Sequence, residues 1–362
     1  MRRPTSLLIA VLRDERAIAA LDLSELDLLI REARVARLLP YVAALAAQQG
    51  AMPHLSSAVA AAFDAANVVA AANRRALSWE LKKLAIAFAD CTFPVVLLKG
   101  AAYRARDLPF SRSRLCNDID LLVPAAALAE AEKRLLLHGW LPTHLDAYDQ
   151  RYYREWMHEI PPLRHLQRQS IVDLHHTIAP PVGRLPIDAE PLLKRSVPIS
   201  ETPPFRTLAP VDQILHSATH LMLDSEFDHA LRDLIDIREL ILHYGSDEDL
   251  LVQLATRAQQ LGLSTPWHDT TEALRAIVAF PPLLRHGAST QRRPPRIARA
   301  LVQHCIRHAF IPDHASCKSL RAVLARRALY VRSHYLKMPL HLLLPHLFHK
   351  AFLTQDAAQT TQ

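Results

Sequence analysis

Glycine is scarce, at 7 of 362 residues. That excludes collagen-like repeats and glycine-rich linkers, and it argues against large sandwiches full of tight turns. Aromatic residues make up only 6%. The four cysteines, Cys91, Cys116, Cys305 and Cys317, contain no CxxC pair. His304, His308 and His314 flank the last two, but the spacing fits no common zinc finger. Reduced thiols in a cytoplasmic protein are therefore expected. Long apolar runs are also missing. The low-charge stretch 38–63 is broken by Gln48-Gln49-Gly50, Pro53-His54 and Ser56-Ser57. It does not read as a span of about 20 apolar residues, so stable membrane insertion is not expected. Behind basic Met1-Arg2-Arg3, the apolar stretch Leu7–Leu12 is short and runs into Arg13-Asp14-Glu15, which is no secretory signal.

What remains is a globular composition, 50% hydrophobic and 22% charged. Alanine and leucine dominate the apolar set, so most of the chain should be helical. The net charge of +7 is unevenly placed. From Arg285 to Lys350 there are 13 Lys/Arg against a single acid, Asp313, leaving 30 basic and 35 acidic residues elsewhere. The basic C-terminal quarter suits either an anionic partner or a solvated helical face.

Three regions follow from the pattern. Residues 1–88 read as a helical region. Leu21–Ala36 shows helical spacing after a Ser24 cap candidate, Ser57–Ala76 is alanine-rich, and Ser78–Ala89 is amphipathic. Residues 89–204 change texture and read as a mixed core. Pro94–Leu98 is a short buried strand, and Ala101–Ala105 can begin a helix. Asn117–Val123 is a second strand, followed by a helix over Ala125–Leu137 that stops at Gly139. Leu163–Leu166 and Ser170–His175 form a hairpin around Gln167–Gln169, and Pro180–Pro204 is a proline-rich connection. Residues 205–362 return to helix, with Asp212–Leu223 and Leu231–His243 the clearest cases and the basic quarter at the end. The fold class is α+β, mostly helical, with a small mixed sheet between helical regions.

The chemistry concentrates at Asn117–Val123. Side chains alternate along a strand, so Asp118 and Asp120 share one face, with Ile119 and Leu121 on the other. Two adjacent carboxylates repel, and burying them is costly unless a cation intervenes. Such a pair is a candidate clamp for Mg²⁺ or Mn²⁺. Lys99-Gly100 ends the preceding strand, where backbone N–H groups and a lysine can meet phosphate. Arg114 lies four residues before Asp118, with Arg104, Arg106 and Arg112 nearby. Asp173 is a third acid on a separate strand, with His175 on its face. Three carboxylates on adjacent strands are the equipment of two-metal phosphoryl or nucleotidyl transfer.

These residues resemble a known family. Val96-Leu97-Leu98-Lys99-Gly100, Arg114, Asp118–Val123, Gly139-Trp140 and Val172-Asp173-Leu174-His175 occur in an ordered set. The set is similar to the uncharacterised nucleotidyltransferase family of the DNA polymerase beta-like nucleotidyltransferase superfamily. The likeness continues through Gln213–His220 and Leu231–Leu240, covering about residues 80–265. It implies that Asp118, Asp120 and Asp173 are the catalytic and metal-binding residues. It also implies that Lys99, Gly100, Arg114 and His175 serve the nucleotide, ATP being the expected NTP. The wider superfamily carries glycine-serine where this chain has Lys99-Gly100, as in the narrower family. A charge thus stands where a hydroxyl would touch phosphate. The acceptor is left open between a small molecule, a peptide, a protein side chain and RNA.

Other readings stay beside this one. Asp118 and Asp120 can cap a turn and pair with Arg112 or Arg114. His216 and His220 share a helical face with Asp224 one turn on, but lack the glutamate of HExxH. Asp236 reads as a buried polar anchor. Pro339–Phe348 resembles an amphipathic surface segment. In function, the alternatives are an inactive nucleotide- or partner-binding protein on the same fold, and an RNA-binding protein using the basic quarter.

Overall fold

The computed structural model describes residues 6–345, except 15, 144–145, 186, 225, 246–247 and 281–295. Four helices come first: α1 (Leu7–Leu12), α2 (Leu23–Val35), α3 (Leu39–Gln48) and α4 (Ser57–Ala87). Asp22, not Ser24, caps α2. Its carboxylate accepts the Glu25 N–H at 2.9 Å, and Glu25 reaches back to the Asp22 N–H at 3.1 Å. A full carboxylate with a reciprocal glutamate makes a capping box that a serine in the first turn cannot match. The two helical stretches expected over 57–89 fuse into α4, because no glycine or proline separates them. Val59, Phe63, Ala66, Ala70, Leu77, Leu81 and Leu84 form its buried stripe.

The sheet begins with β1 (Val95–Leu97), α5 (Lys99–Ala105) and β2 (Asp118–Leu122). Then come α6 (Leu128–Leu137), β3 (Trp140–Pro142) and α7 (Ala147–Arg151), which continues into a π-helical turn over Tyr152–Trp156. β4 (Leu163–His165) and β5 (Ile171–His175) form the expected antiparallel hairpin. The proline-rich connection contains α8 (Glu190–Arg195) and β6 (Val197–Pro198), and β7 (Phe205–Thr207) follows. Pro198 sits in β6, at the sheet's edge, where a missing N–H does no harm. The seven strands lie in the order β3-β4-β5-β2-β1-β7-β6. β2 runs parallel to β5, and β1 parallel to β7, while the remaining neighbours are antiparallel. The sheet is therefore mixed, and two of its three central strands, β2 and β5, carry an aspartate at mid-strand, Asp120 and Asp173.

Helices complete the chain: α9 (Pro210–Leu223), α10 (Ala230–Tyr244), α11 (Glu248–Gln260), α12 (Ser264–Val278), α13 (Arg296–Ala309) and α14 (Leu320–Lys337). α9 is buried along nearly its whole length and touches α10, α11, α12 and α14. Buried side chains from the first helices, the sheet and the last helices join in one core. Among the described residues, no helix is long and apolar enough to cross a membrane. Residues 346–348 of the amphipathic Pro339–Phe348 segment lie outside the described residues, as does part of the basic quarter. Within that segment Leu340 and Leu344 are exposed while Leu343 is buried.

Asp212, in the first turn of α9, is fully buried. Arg257 of α11 donates to its two oxygens at 2.7 and 3.2 Å, and Arg195 approaches at 3.6 Å. Removing one partner of a buried pair leaves the other charge stranded. Asp212→Ala should lower unfolding stability by about 3 kcal/mol. In denaturant melts, Asp212→Ala/Arg257→Ala should cost less than the two single variants together. Strict additivity would show that the pair does not hold α9.

Candidate functional site

The parallel pairing of β2 with β5 is what builds the site. It sets Asp120 directly beside Asp173 and Asp118 beside Ile171. Asp118 is exposed at the start of β2, whereas Asp120 is buried. β1 ends on the other side of β2, and its continuation is tied there by the Leu98 N–H donating to the Asp120 carbonyl at 3.0 Å. Lys99 then takes a left-handed backbone conformation (φ 42°) and turns its ammonium onto Asp120, with Nζ 2.8 Å from Oδ1. His175, at the end of β5, brings Nε2 to within 3.2 Å of the same oxygen and 3.4 Å of Glu159 Oε2.

The electrostatics follow from this arrangement. Burial works to raise the Asp120 carboxyl, but Lys99 and His175 outweigh it and hold it well below the usual carboxylate range. Burial likewise opposes charge on Lys99 and His175, yet the carboxylates around them win and raise both. Asp118, though exposed as a residue, faces into a cleft, where reduced hydration and then Asp120 push its carboxyl up. Asp173 goes further, to about 8, because burial is joined by Asp120 and Glu159. Its Oδ1 is buried without a hydrogen-bond partner among the described residues. A buried carboxylate oxygen with no such partner, beside two more carboxylates, fits a divalent cation.

Asp118, Asp120 and Asp173 adjoin by register. Among the described residues, however, the group whose ligand atoms all lie within 4.8 Å is a different one, His158, Glu159 and His175. Residues 158–160 reach the site by pairing with the end of β5: Ile160 N–H donates to the Leu174 carbonyl, and Glu159 bridges to His175. Sequence reasoning missed His158 and Glu159, since a single bridge leaves no strand-length pattern. This group can hold a divalent ion, and its mixed nitrogen and oxygen donors suit a softer cation than an all-carboxylate set does.

The site opens into a cleft of about 310 Å³, which the other predicted residues share with two of the carboxylates. Lys99, Gly100, Arg114, Asp118 and Asp120 line it, facing His220, Asp233 and Asp236 from the helices. Arg114 is not free there. Its Nε donates to Asp236 Oδ2 at 2.5 Å, and its guanidinium lies over Tyr103. This pair locks the loop before β2 to α10, so Asp236 is the buried anchor expected from sequence. Asn73 of α4 holds the same loop by exchanging hydrogen bonds with the Cys116 backbone. Gly100 is required by this packing: a Cβ there would collide with the Arg114 guanidinium and the Cys116 thiol. Arg112 and Arg104 pair with Asp107 instead of reaching the carboxylates. His216 is buried and His220 half-buried on α9, and both are depressed, first by loss of hydration and then by Lys99. Cys317 packs against Glu32, so the cysteine–histidine grouping near the C-terminus does not assemble among the described residues.

The chain belongs to a family of uncharacterised nucleotidyltransferases, whose model matches residues 22–278, well over half of it. That family is part of the DNA polymerase beta-like nucleotidyltransferase superfamily. No curated protein and no solved structure matches the chain significantly. The matched span runs from α2 to α12, so it takes in helices on both sides of the sheet.

Two outcomes are expected. Gly100→Ala should cost about 1–3 kcal/mol of stability through overpacking. The loss should shrink in an Arg114→Ala background, where the colliding guanidinium is gone; an undiminished loss would contradict the packing. The second concerns His216, whose folded value lies at about 3 against an ordinary 6.5. The unfolded chain then binds a proton below about pH 6.5 that the folded chain refuses, so stability falls as pH falls. The drop from this group alone is about 2 kcal/mol between pH 7 and 5. In melts across that range, His216→Gln should flatten the pH dependence by this amount.

Proposed function

We propose that the protein transfers a nucleoside monophosphate from an NTP, ATP in the first instance, to a hydroxyl on a small-molecule, peptide or protein acceptor. One observation carries the reading: Asp120 and Asp173 are register partners on parallel strands, with Asp118 two residues away and Asp173 Oδ1 buried and unpartnered. Asp118, Asp120 and Asp173 would hold Mg²⁺ or Mn²⁺. Bound divalent cations supply charge that stabilises the attacking and leaving oxygens of an in-line displacement.

The remaining roles fall to this chain's residues. Lys99 and His175 orient Asp120 by sharing its Oδ1. Asp173 takes the proton of the attacking hydroxyl as the new bond to the α-phosphorus forms and pyrophosphate leaves. Gly100 lets Arg114 lie close beneath the nucleotide side of β2, and Arg114 in turn fixes that wall through Asp236. Lys99 and Arg114 thus act on the nucleotide mainly by placing the groups around it, since each already faces a carboxylate. The chemistry is assigned to residues 89–204, with flanking helices closing the cleft. A cytoplasmic setting, where NTPs are plentiful, fits this reading.

The test is pyrophosphate release with each NTP and Mg²⁺ or Mn²⁺ in host lysate, following α-labelled nucleotide into acceptor. Asp118→Asn/Asp120→Asn should lose about 100-fold or more in rate, equivalent to about 2.7 kcal/mol of barrier. Melting curves would show that the variant is folded. Metal-dependent NTP binding without release or labelling would favour the inactive binding protein. Release that survives the double substitution would refute the assignment.

A further inference from the structure

Four cations line the cleft: Arg37, Lys99, Arg114 and Arg232. Three are already engaged. Lys99 pairs with Asp120, Arg114 with Asp236, and Arg232 with Asp233 at 2.7 Å. The Arg37 guanidinium makes no hydrogen bond or ion pair among the described residues. An anion entering the cleft therefore meets one cation that it need not take from a carboxylate.

The backbone at Arg37 sharpens the point. Arg37 closes α2, with its N–H donating to the Arg34 carbonyl at 3.1 Å and Leu38 N–H to Ala33 at 2.8 Å. It does so in the left-handed region, at φ 55°. Helix ends of this kind favour glycine, which has no Cβ to strain. Here the chain keeps a long cationic side chain at a position whose backbone disfavours it, as functional sites often do. A second group points the same way. His229, before α10, also lines the cleft, and its Nδ1 is buried without a hydrogen-bond partner among the described residues. Arg37 lies close enough to oppose protonation of His229, after burial and Arg232. A neutral imidazole with an unused nitrogen beside a free guanidinium matches phosphate oxygens, which accept from both.

We propose that Arg37 and His229 form the subsite that holds the terminal phosphates of a polyphosphate chain, so that α2, outside the sheet region, completes the nucleotide site. As an NTP subsite the assignment rests on the nucleotidyl-transfer reading; as an anion site it stands on the cleft alone. The carboxylates of β2 take the metal end of the ligand, and Arg37 takes the far end. Lys99 and Arg114 keep their ion pairs throughout.

The probes are inorganic tripolyphosphate, a non-hydrolysable ATP analogue and AMP, each titrated with Mg²⁺ by calorimetry. The informative variant is Arg37→Gly, because glycine relieves the backbone and should leave the melting midpoint unchanged or higher. Its binding of tripolyphosphate and the ATP analogue should weaken about tenfold or more, the scale of a charge-assisted phosphate contact. AMP binding should stay within about twofold of wild type, since AMP lacks the terminal phosphates. His229→Ala should weaken the same two probes less. Wild-type affinity for tripolyphosphate in Arg37→Gly, or no tripolyphosphate binding by the wild type, overturns the subsite. Arg37-dependent tripolyphosphate binding without binding of the ATP analogue upholds the subsite and removes the nucleotide reading. Analogue binding unchanged in Arg37→Gly does the reverse.

Discussion

Asp120 is the constraint on which the site depends. It is buried on a central strand, beside a second carboxylate on one side and an apolar strand end on the other. A charge in that position is tolerated only when paired. Lys99 and His175 provide the pairing, and both come from the ends of the strands that flank β2. The strand order therefore does more than build a sheet. It delivers one cation and one imidazole to the same carboxylate oxygen, and it leaves Asp173, the next strand's carboxylate, without either.

The helices have a matching task. Asp212 and Arg257 seat α9, which brings His216 and His220 to the open end of the sheet. Arg114 and Asp236 seat α10 against the loop before β2. Both links are buried ion pairs, which contribute little net stability but penalise any other alignment. They fix the width of the cleft between sheet and helices. Asn73 adds a third tie, from α4, so the loop carrying Arg114 and Cys116 is held from two directions.

Much of this was legible in the sequence because the signals are local. A short apolar run ending in Lys99-Gly100 marks β1, alternation marks β2, and a polar turn between two short runs marks the β4–β5 hairpin. The ordered aspartates sit where the alternation puts them. What was hidden depends on partners far along the chain. β3, β6 and β7 are two or three residues long and exist because a neighbour pairs with them. His158 and Glu159 join the site through a single bridge to β5. The sequence offered Arg114 either phosphate or the nearby Asp118 and Asp120; its actual partner, Asp236, lies 122 residues away. Arg37 carried no signal at all, because a basic residue after a helix is ordinarily a favourable match to the helix dipole.

That last difference bears on how the fold divides its labour. The sheet supplies carboxylates and the cations that neutralise them, so its local charge is nearly spent. The helices flanking it carry the charge that remains. If the sheet alone recognised a polyphosphate, Lys99 and Arg114 would have to leave Asp120 and Asp236, exposing two buried carboxylates at once. That exchange costs several kcal/mol for each stranded charge, more than a phosphate contact of about 1.5–3 kcal/mol returns. An uncommitted cation on a separate helix avoids the exchange. The family match begins at residue 22, at the cap of α2. The matched span therefore includes α2 and the Arg37 that follows its C-cap.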